Sequence, residues 1–367
     1  MKKISCSLIA LLAITTVAFA ADTPIHLLSY TTSNNEVTIT GADATVTDLR
    51  IPATIGGNPV TTIGNNAFDG SSITNATLPS SVTQIGDLTF YESQLQTIEM
   101  PGIETISFGA FAFSDLTLIT LPNSLTTLGV SAFQDCTSLT AVTLPDSLQS
   151  ISDSAFASCT SLSSINFPDS LTSIGKTAFW NCDSLASITL PKNIKTINRF
   201  AFGFCTSLTT LTLPDSLQTI SEEAFRHCTS LTSITLPDNL QSIGYDAFRF
   251  CSRLTSINFL GDRPSSLGVN IFHDVASSAT VYFLPGATGF GETLQGLPVE
   301  VLMSINTSTF TNDNWLVTLN GGTDGITVEE TADLTADNWV TNHNPIITNG
   351  AFQFSTTNSH RYYRFSN

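Results

Sequence analysis

Over residues 51 to about 260 the apolar positions of the chain fall into one recurring pattern. A phenylalanine returns at Phe133, Phe156, Phe179, Phe202, Phe225 and Phe248, each 23 residues after the last. Upstream the spacing loosens, giving Phe68, Phe90 and Phe111, and a weaker unit follows at Phe272. In the unit that starts at Leu162 the apolar positions are Leu162, Ile165, Phe167, Leu171, Ile174, Ala178, Phe179 and Cys182. Most residues between them are Ser, Thr, Asp or Asn. One such unit has too few apolar side chains to close a core of its own. Stacked on a neighbour, it joins its apolar row to a continuous seam, so a fixed period of this size predicts a solenoid of about ten coils.

Within a unit, Ile165 to Phe167 and Leu171 to Ile174 fit two strands of a few residues. Pro168 follows the first segment and cannot donate to a ladder, so it marks a strand end. Proline recurs there at Pro79, Pro101, Pro122, Pro145, Pro191, Pro214 and Pro237. Gly175, Ser152 and Asn198 follow the second segment, and such residues suit a turn. The Ala-Phe pair after it is expected in a single helical turn.

The recurring pattern L-x-x-I-x-L-P-x-x-L-x-x-I-G-x-x-A-F-x-x-C resembles the BspA-like leucine-rich repeat, and the match covers well over half the chain. The lead-in through Tyr30-Thr31-Thr32, then residues 37–41, then Ile51-Pro52, is similar to that family as well. The resemblance implies a right-handed solenoid of 21–24-residue coils on a cell surface, associated with adhesion and protein binding. It supplies no catalytic residues.

The two ends read differently. Residues 1–20 have the form of a signal peptide: Lys2 and Lys3, an apolar run over 8–19, and Ala18-Phe19-Ala20. Export to the cell surface or the extracellular space is therefore expected, with the periplasm as a further compartment, and with no transmembrane segment in the mature chain. Residues 21–50 are expected to form a β cap, with two strands around Ser33-Asn34-Asn35. The array and its closing cap run over 51–290, a linker over 291–303, and a small all-β domain over 304–367. In that last stretch Asn349-Gly350, between Ile346-Ile347 and residues 351–354, is a short-hairpin signal.

Charge narrows the partners. The formal net charge is −17, which disfavours nucleic acid and anionic membranes, since both reward Lys and Arg. Cys136, Cys159, Cys182, Cys205, Cys228 and Cys251 each lie three residues after a repeat Phe. Two readings exist, a disulfide framework and a buried ladder of small apolar side chains. Ser71, Ser93 and Ser114 at the same position in the early units favour the ladder. No CxxC or paired His accompanies them, so no metal and no cofactor is expected. Asp146, Asp169, Asp215 and Asp238 form a second row, read as solvated turn residues rather than cation ligands.

The positions flanking the repeat Phe vary, and late in the array they collect basic and aromatic residues. Lys176, Trp180, Arg199, Phe204, Arg226, Tyr245 and Arg249 are the candidate ligand-binding patch, with Phe200, His227 and Phe250 beside them. Trp, Tyr and Arg are enriched in interaction hot spots. The competing reading has the arginines paired with acids such as Glu222 and Asp246. No nucleophile elbow, P-loop, HExxH or dinucleotide-binding signature occurs. The expectation is a non-catalytic secreted or surface protein that binds a protein or glycan through the array. The alternative is a structural envelope or matrix protein with the repeats as spacer and the C-terminal domain as attachment module.

Overall fold

The computed structural model of the chain describes residues 21–284 and 286–301 in full, and of residues 302–367 the backbone of the strands alone. The expected signal peptide lies outside the described residues. No helix among the described residues is long and apolar enough to cross a membrane.

Each coil contributes two short strands, and equivalent strands stack in parallel. The first row runs from Asp48–Arg50 to Leu297–Val301, and the second from Glu36–Ala42 to Ser266–Leu267. The second row holds 11 strands, so the array has about eleven turns, one more than the Phe count because the cap contributes a strand. Register follows the repeat: Val142 lies opposite Ile165 and Ile151 opposite Ile174. In three-residue strands such as Ser164–Asn166 only the middle side chain is buried. The outer two face water, which is why they read Ser, Thr or Asn.

Proline ends the first strand as expected and opens the turn to the second. Leu171 N–H donates to the Pro168 carbonyl at 3.1 Å, and Leu148 to Pro145 at 3.1 Å. The serine in this turn reaches the coil before it: Ser170 Oγ donates to the Leu148 carbonyl at 2.8 Å and Ser147 Oγ to that of Leu125 at 2.6 Å. A small hydroxyl at this place therefore ties one coil to the next.

The ten repeat phenylalanines form one buried stack from Phe68 to Phe272. Phe156 and Phe179 have ring centroids 5.4 Å apart with planes 9° apart, and Phe179 and Phe202 are 5.4 Å and 3° apart. All three are fully buried. The Ala-Phe segment is not helical, however. Its coil runs through two residues in the left-handed region, for example Thr177 at φ 52° and Asn181 at φ 60°. Left-handed residues cannot propagate a right-handed helix. The segment is a double turn: Trp180 N–H bonds back to the Thr177 carbonyl at 3.1 Å, and Cys182 to Phe179 at 3.4 Å. Alternate amides reach the next coil, with Thr177 bonding Arg199, Phe179 bonding Ala201 and Asn181 bonding Gly203 at 2.8–3.0 Å.

The cysteines are free and buried. Each thiol donates to the carbonyl of the Phe one coil back, such as Cys159 to Phe133 at 3.1 Å and Cys182 to Phe156 at 3.2 Å. Ser93 and Ser114 are buried at the same position. The cap hairpin pairs Leu28–Ser33 with Glu36–Ala42, Ser33 opposite Glu36. Asn34 and Asn35 lie at φ 51° and 60°, the left-handed pair that a two-residue turn of this kind needs.

At the other end, residues 291–301, within the stretch expected as a linker, continue the array. Leu297–Val301 pairs in parallel with Thr280–Phe283, and Thr293–Leu294 folds back on it. Beyond it two antiparallel sheets follow. One orders Ile305–Thr311, Asn314–Leu319, Ala351–Ser355 and Ile346–Thr348; the other orders Val340–Asn342, Thr327–Thr331 and Tyr362–Ser366. Thr348 pairs with Ala351, the register expected around Asn349-Gly350, whose own two residues lie outside the described ones.

Candidate surface on the turn column

The double turns stack into a third face of the solenoid, beside the two strand rows. Because the Phe points inward, its neighbours form outward columns, one residue per coil. The column just after the Phe reads Gln134, Ala157, Trp180, Gly203, Arg226, Arg249. The column two after it reads Asp135, Ser158, Asn181, Phe204, His227, Phe250. This second column is in the left-handed region throughout, Phe204 at φ 61°, His227 at 61° and Phe250 at 62° included.

These columns bring most of the predicted residues together. Trp180 meets Phe204 edge-on at 5.8 Å between centroids. Phe204 stacks on His227 at 4.5 Å and His227 on Phe250 at 4.3 Å. The rings therefore form a rail across four coils. Arg249 lies over the Phe250 ring at 4.6 Å and Arg226 at 5.5 Å, within cation–π range. His227 titrates below the ordinary imidazole range, because partial burial and then Arg226 and Arg249 disfavour its charged form.

The arginines also have acid partners, and one of them is not the residue expected. Glu223, not Glu222, is buried beneath the rail. It accepts Arg226 Nη1 at 2.7 Å, Arg199 Nη2 at 3.1 Å and the Tyr245 hydroxyl at 3.2 Å. Asp246, also buried, accepts Arg249 Nη1 at 3.2 Å and lies 3.6 Å from Arg226 Nη1. Sequence offers two adjacent glutamates. The turn geometry sends the second inward, under the column that carries Arg226. A hydrogen bond from Arg199 to Glu223 raises the Arg199 pKa, and one from Arg249 to Asp246 does the same there. The guanidiniums are thus held charged and fixed. Lys176, at the outer edge, is exposed and forms no ion pair among the described residues.

One group of exposed residues is missing from the sequence reading. Phe108, Phe113 and Val130 are 50%, 43% and 44% exposed earlier in the array. Phe113 is on the column two after the Phe, while Phe108 and Val130 are three before it, in line with Lys176, Arg199 and Tyr245. Tyr91 meets Phe113 edge-on at 5.4 Å. Each sits at a fixed offset from its own repeat Phe, so counting from Phe90, Phe111 and Phe133 finds them; the uneven early spacing hides the register.

The fold and this surface define a leucine-rich-repeat β-solenoid. A family model for the BspA type leucine rich repeat region matches residues 61–186 and 172–293 in 6 copies, and the chain belongs to that family. Among solved structures, a leucine-rich repeat protein from Bacteroides ovatus is 23% identical over 78% of this chain and 100% of that one, with TM-score 0.32. The T. pallidum leucine rich repeat protein is 29% identical over 57% of this chain and 91% of that one, with TM-score 0.43. A leucine rich cell surface protein from Faecalibacterium prausnitzii is 22% identical over 66% of this chain and 97% of that one, with TM-score 0.39. No curated protein matches the chain.

Proposed function

We propose that the chain is an exported, cell-surface binding protein whose turn column, through Lys176, Trp180, Arg199, Phe204, Arg226, Tyr245 and Arg249, takes a protein or glycan ligand without catalysis. The observation that carries this reading is the ring rail from Trp180 to Phe250. Its phenylalanines occupy left-handed positions where Ser158 and Asn181 sit in earlier coils. That backbone strains any residue with a Cβ, Ser158 and Asn181 included. What sets these coils apart is that Trp180, Phe204 and Phe250 hold large rings half-exposed outside the Phe stack, packed chiefly on one another. Trp and Arg on such a surface are enriched in interaction hot spots.

The test must avoid the arginines. Replacing Arg226 or Arg249 strands a buried carboxylate, which is destabilising by itself. The double variant Trp180→Ala/Phe204→Ala leaves every ion pair intact. Retention of the purified, labelled chain on intact cells should fall at least tenfold in that variant, with an unchanged melting temperature. Equal retention would end the proposal.

A further inference from the structure

Beside the rail lies an open depression of about 560 Å³, lined on one side by Trp180, Phe200 and Phe204 and elsewhere by Gln134, Asp135, Ser154, Ala157, Ser158 and Thr177. Its origin is legible in one column. Trp180 stands between Ala157 and Gly203, the two smallest side chains of that column. A Cβ on Gly203 would come to 3.0 Å from Phe200 Cδ1 and 3.5 Å from Trp180 Cδ1. Glycine thus lets Phe200 close in beside the indole, while Ala157 leaves the space in front of it empty. Asp135, Ser158 and Asn181 follow one another along the next column, with Phe113 one coil beyond Asp135 and Phe204 one coil beyond Asn181. At about 4.8 Å per coil, the two rings are about 19 Å apart along the axis.

We infer that this depression is a subsite for a neutral oligosaccharide lying along the solenoid axis. The inference rests on the turn column being a binding face and names the ligand class. Three observations select it. First, the lining joins aromatic rings to amide, hydroxyl and carboxylate groups. The rings suit the apolar faces of sugar rings, and the polar groups give both donors and acceptors for hydroxyls. Second, the backbone is spent. Phe113, Asp135, Ser158, Asn181 and Phe204 each donate their N–H to the next coil at 2.7–2.8 Å. A peptide adding as a strand needs a free edge, and this floor has none. Third, among the described residues no cation lines the depression; Lys176, next to the lining residue Thr177, is exposed at its outer edge. Its charged lining residue is Asp135, and the arginines nearby are bound to Glu223 and Asp246. Sulfated or carboxylated glycans are therefore disfavoured.

Isothermal titration of the full chain decides it. The probes are the hexasaccharides of β-1,4-linked glucose, xylose, mannose and N-acetylglucosamine, with a heparin hexasaccharide as the anionic control. At least one neutral probe should bind, heparin should not, and Trp180→Ala should weaken binding tenfold or more. If Trp180→Ala lowers the melting temperature, Gln134→Ala, on the opposite wall, should give the same loss. No binding by any neutral probe, preference for heparin, or full affinity in both variants overturns the inference. The wider reading fails separately. Cell retention lost in Trp180→Ala/Phe204→Ala, with no saccharide bound, removes the sugar assignment alone; unchanged retention with no saccharide bound removes both.

Discussion

At the scale of single residues, one small set of side chains carries the stability of the array. Phe179 is stacked on both sides and has no exposure. Phe179→Ala should cost about 3–5 kcal/mol, read from denaturant melts, because the rings above and below cannot close the gap. The cysteine column makes a second expectation. Burial pushes the Cys136, Cys205 and Cys251 thiols up to about 12, and raises those of Cys159, Cys182 and Cys228 as well. The thiolate is the reactive form. A thiol reagent at pH 8 should therefore leave all six untouched in the native chain and label them once denaturant is added. His227 gives the third. Its folded pKa lies below its unfolded value, so the unfolded chain takes up the proton first. The neutral ring's contribution is complete above about pH 6.5 and is lost as pH falls through the window below it. Chemical-shift titration should place its midpoint under that of an unfolded control, and Arg249→Gln should move it upward.

The same scale shows what sequence can and cannot reveal. Phe156, Phe179 and Phe202 had to touch, because their spacing equals one coil. The choice of Glu223 over Glu222 was not legible. It depends on which of two neighbours the left-handed turn points inward, and composition at either position is the same.

At the scale of elements, the strand rows were readable and the turn was not. Ile165 and Ile174 mark inward positions by alternation, and Pro168 marks the boundary between them. The Ala-Phe segment looks helical by apolar spacing. What prevents a helix is a pair of left-handed residues per coil, and Thr177 or Phe200 give no sign of that conformation in their chemistry. The cap hairpin was legible, since Asn34-Asn35 tolerates the backbone it adopts. Replacing both asparagines with valine should cost about 1–2 kcal/mol per residue, seen as a lower melting temperature with the cap opening first in hydrogen exchange. The closing strand Leu297–Val301 was missed because the 23-residue period has already failed by Gly261. A ladder can continue by backbone pairing after its side-chain pattern has gone.

At the scale of the whole molecule, stacking converts sequence columns into surface. A residue that recurs at one offset from the Phe becomes a line along the axis. Where the offsets hold Ser and Thr, the line is a solvated face. Where they hold Trp180, Phe204, His227 and Phe250, it is a rail of rings set among fixed arginines. The acidic remainder of the surface keeps that rail a local exception, since the chain carries −17 overall. Which coils carry which outward residues sets what each part of the surface presents, while the buried columns hold the coils in register.

The most direct test is a hydroxyl-radical footprint of the full chain, free and bound to cell-surface material. Trp180, Phe204, His227 and Phe250 should lose reactivity together on binding. Leu118, 58% exposed on a strand row, should keep its own. Protection of Leu118 with the ring rail still reactive would contradict the account.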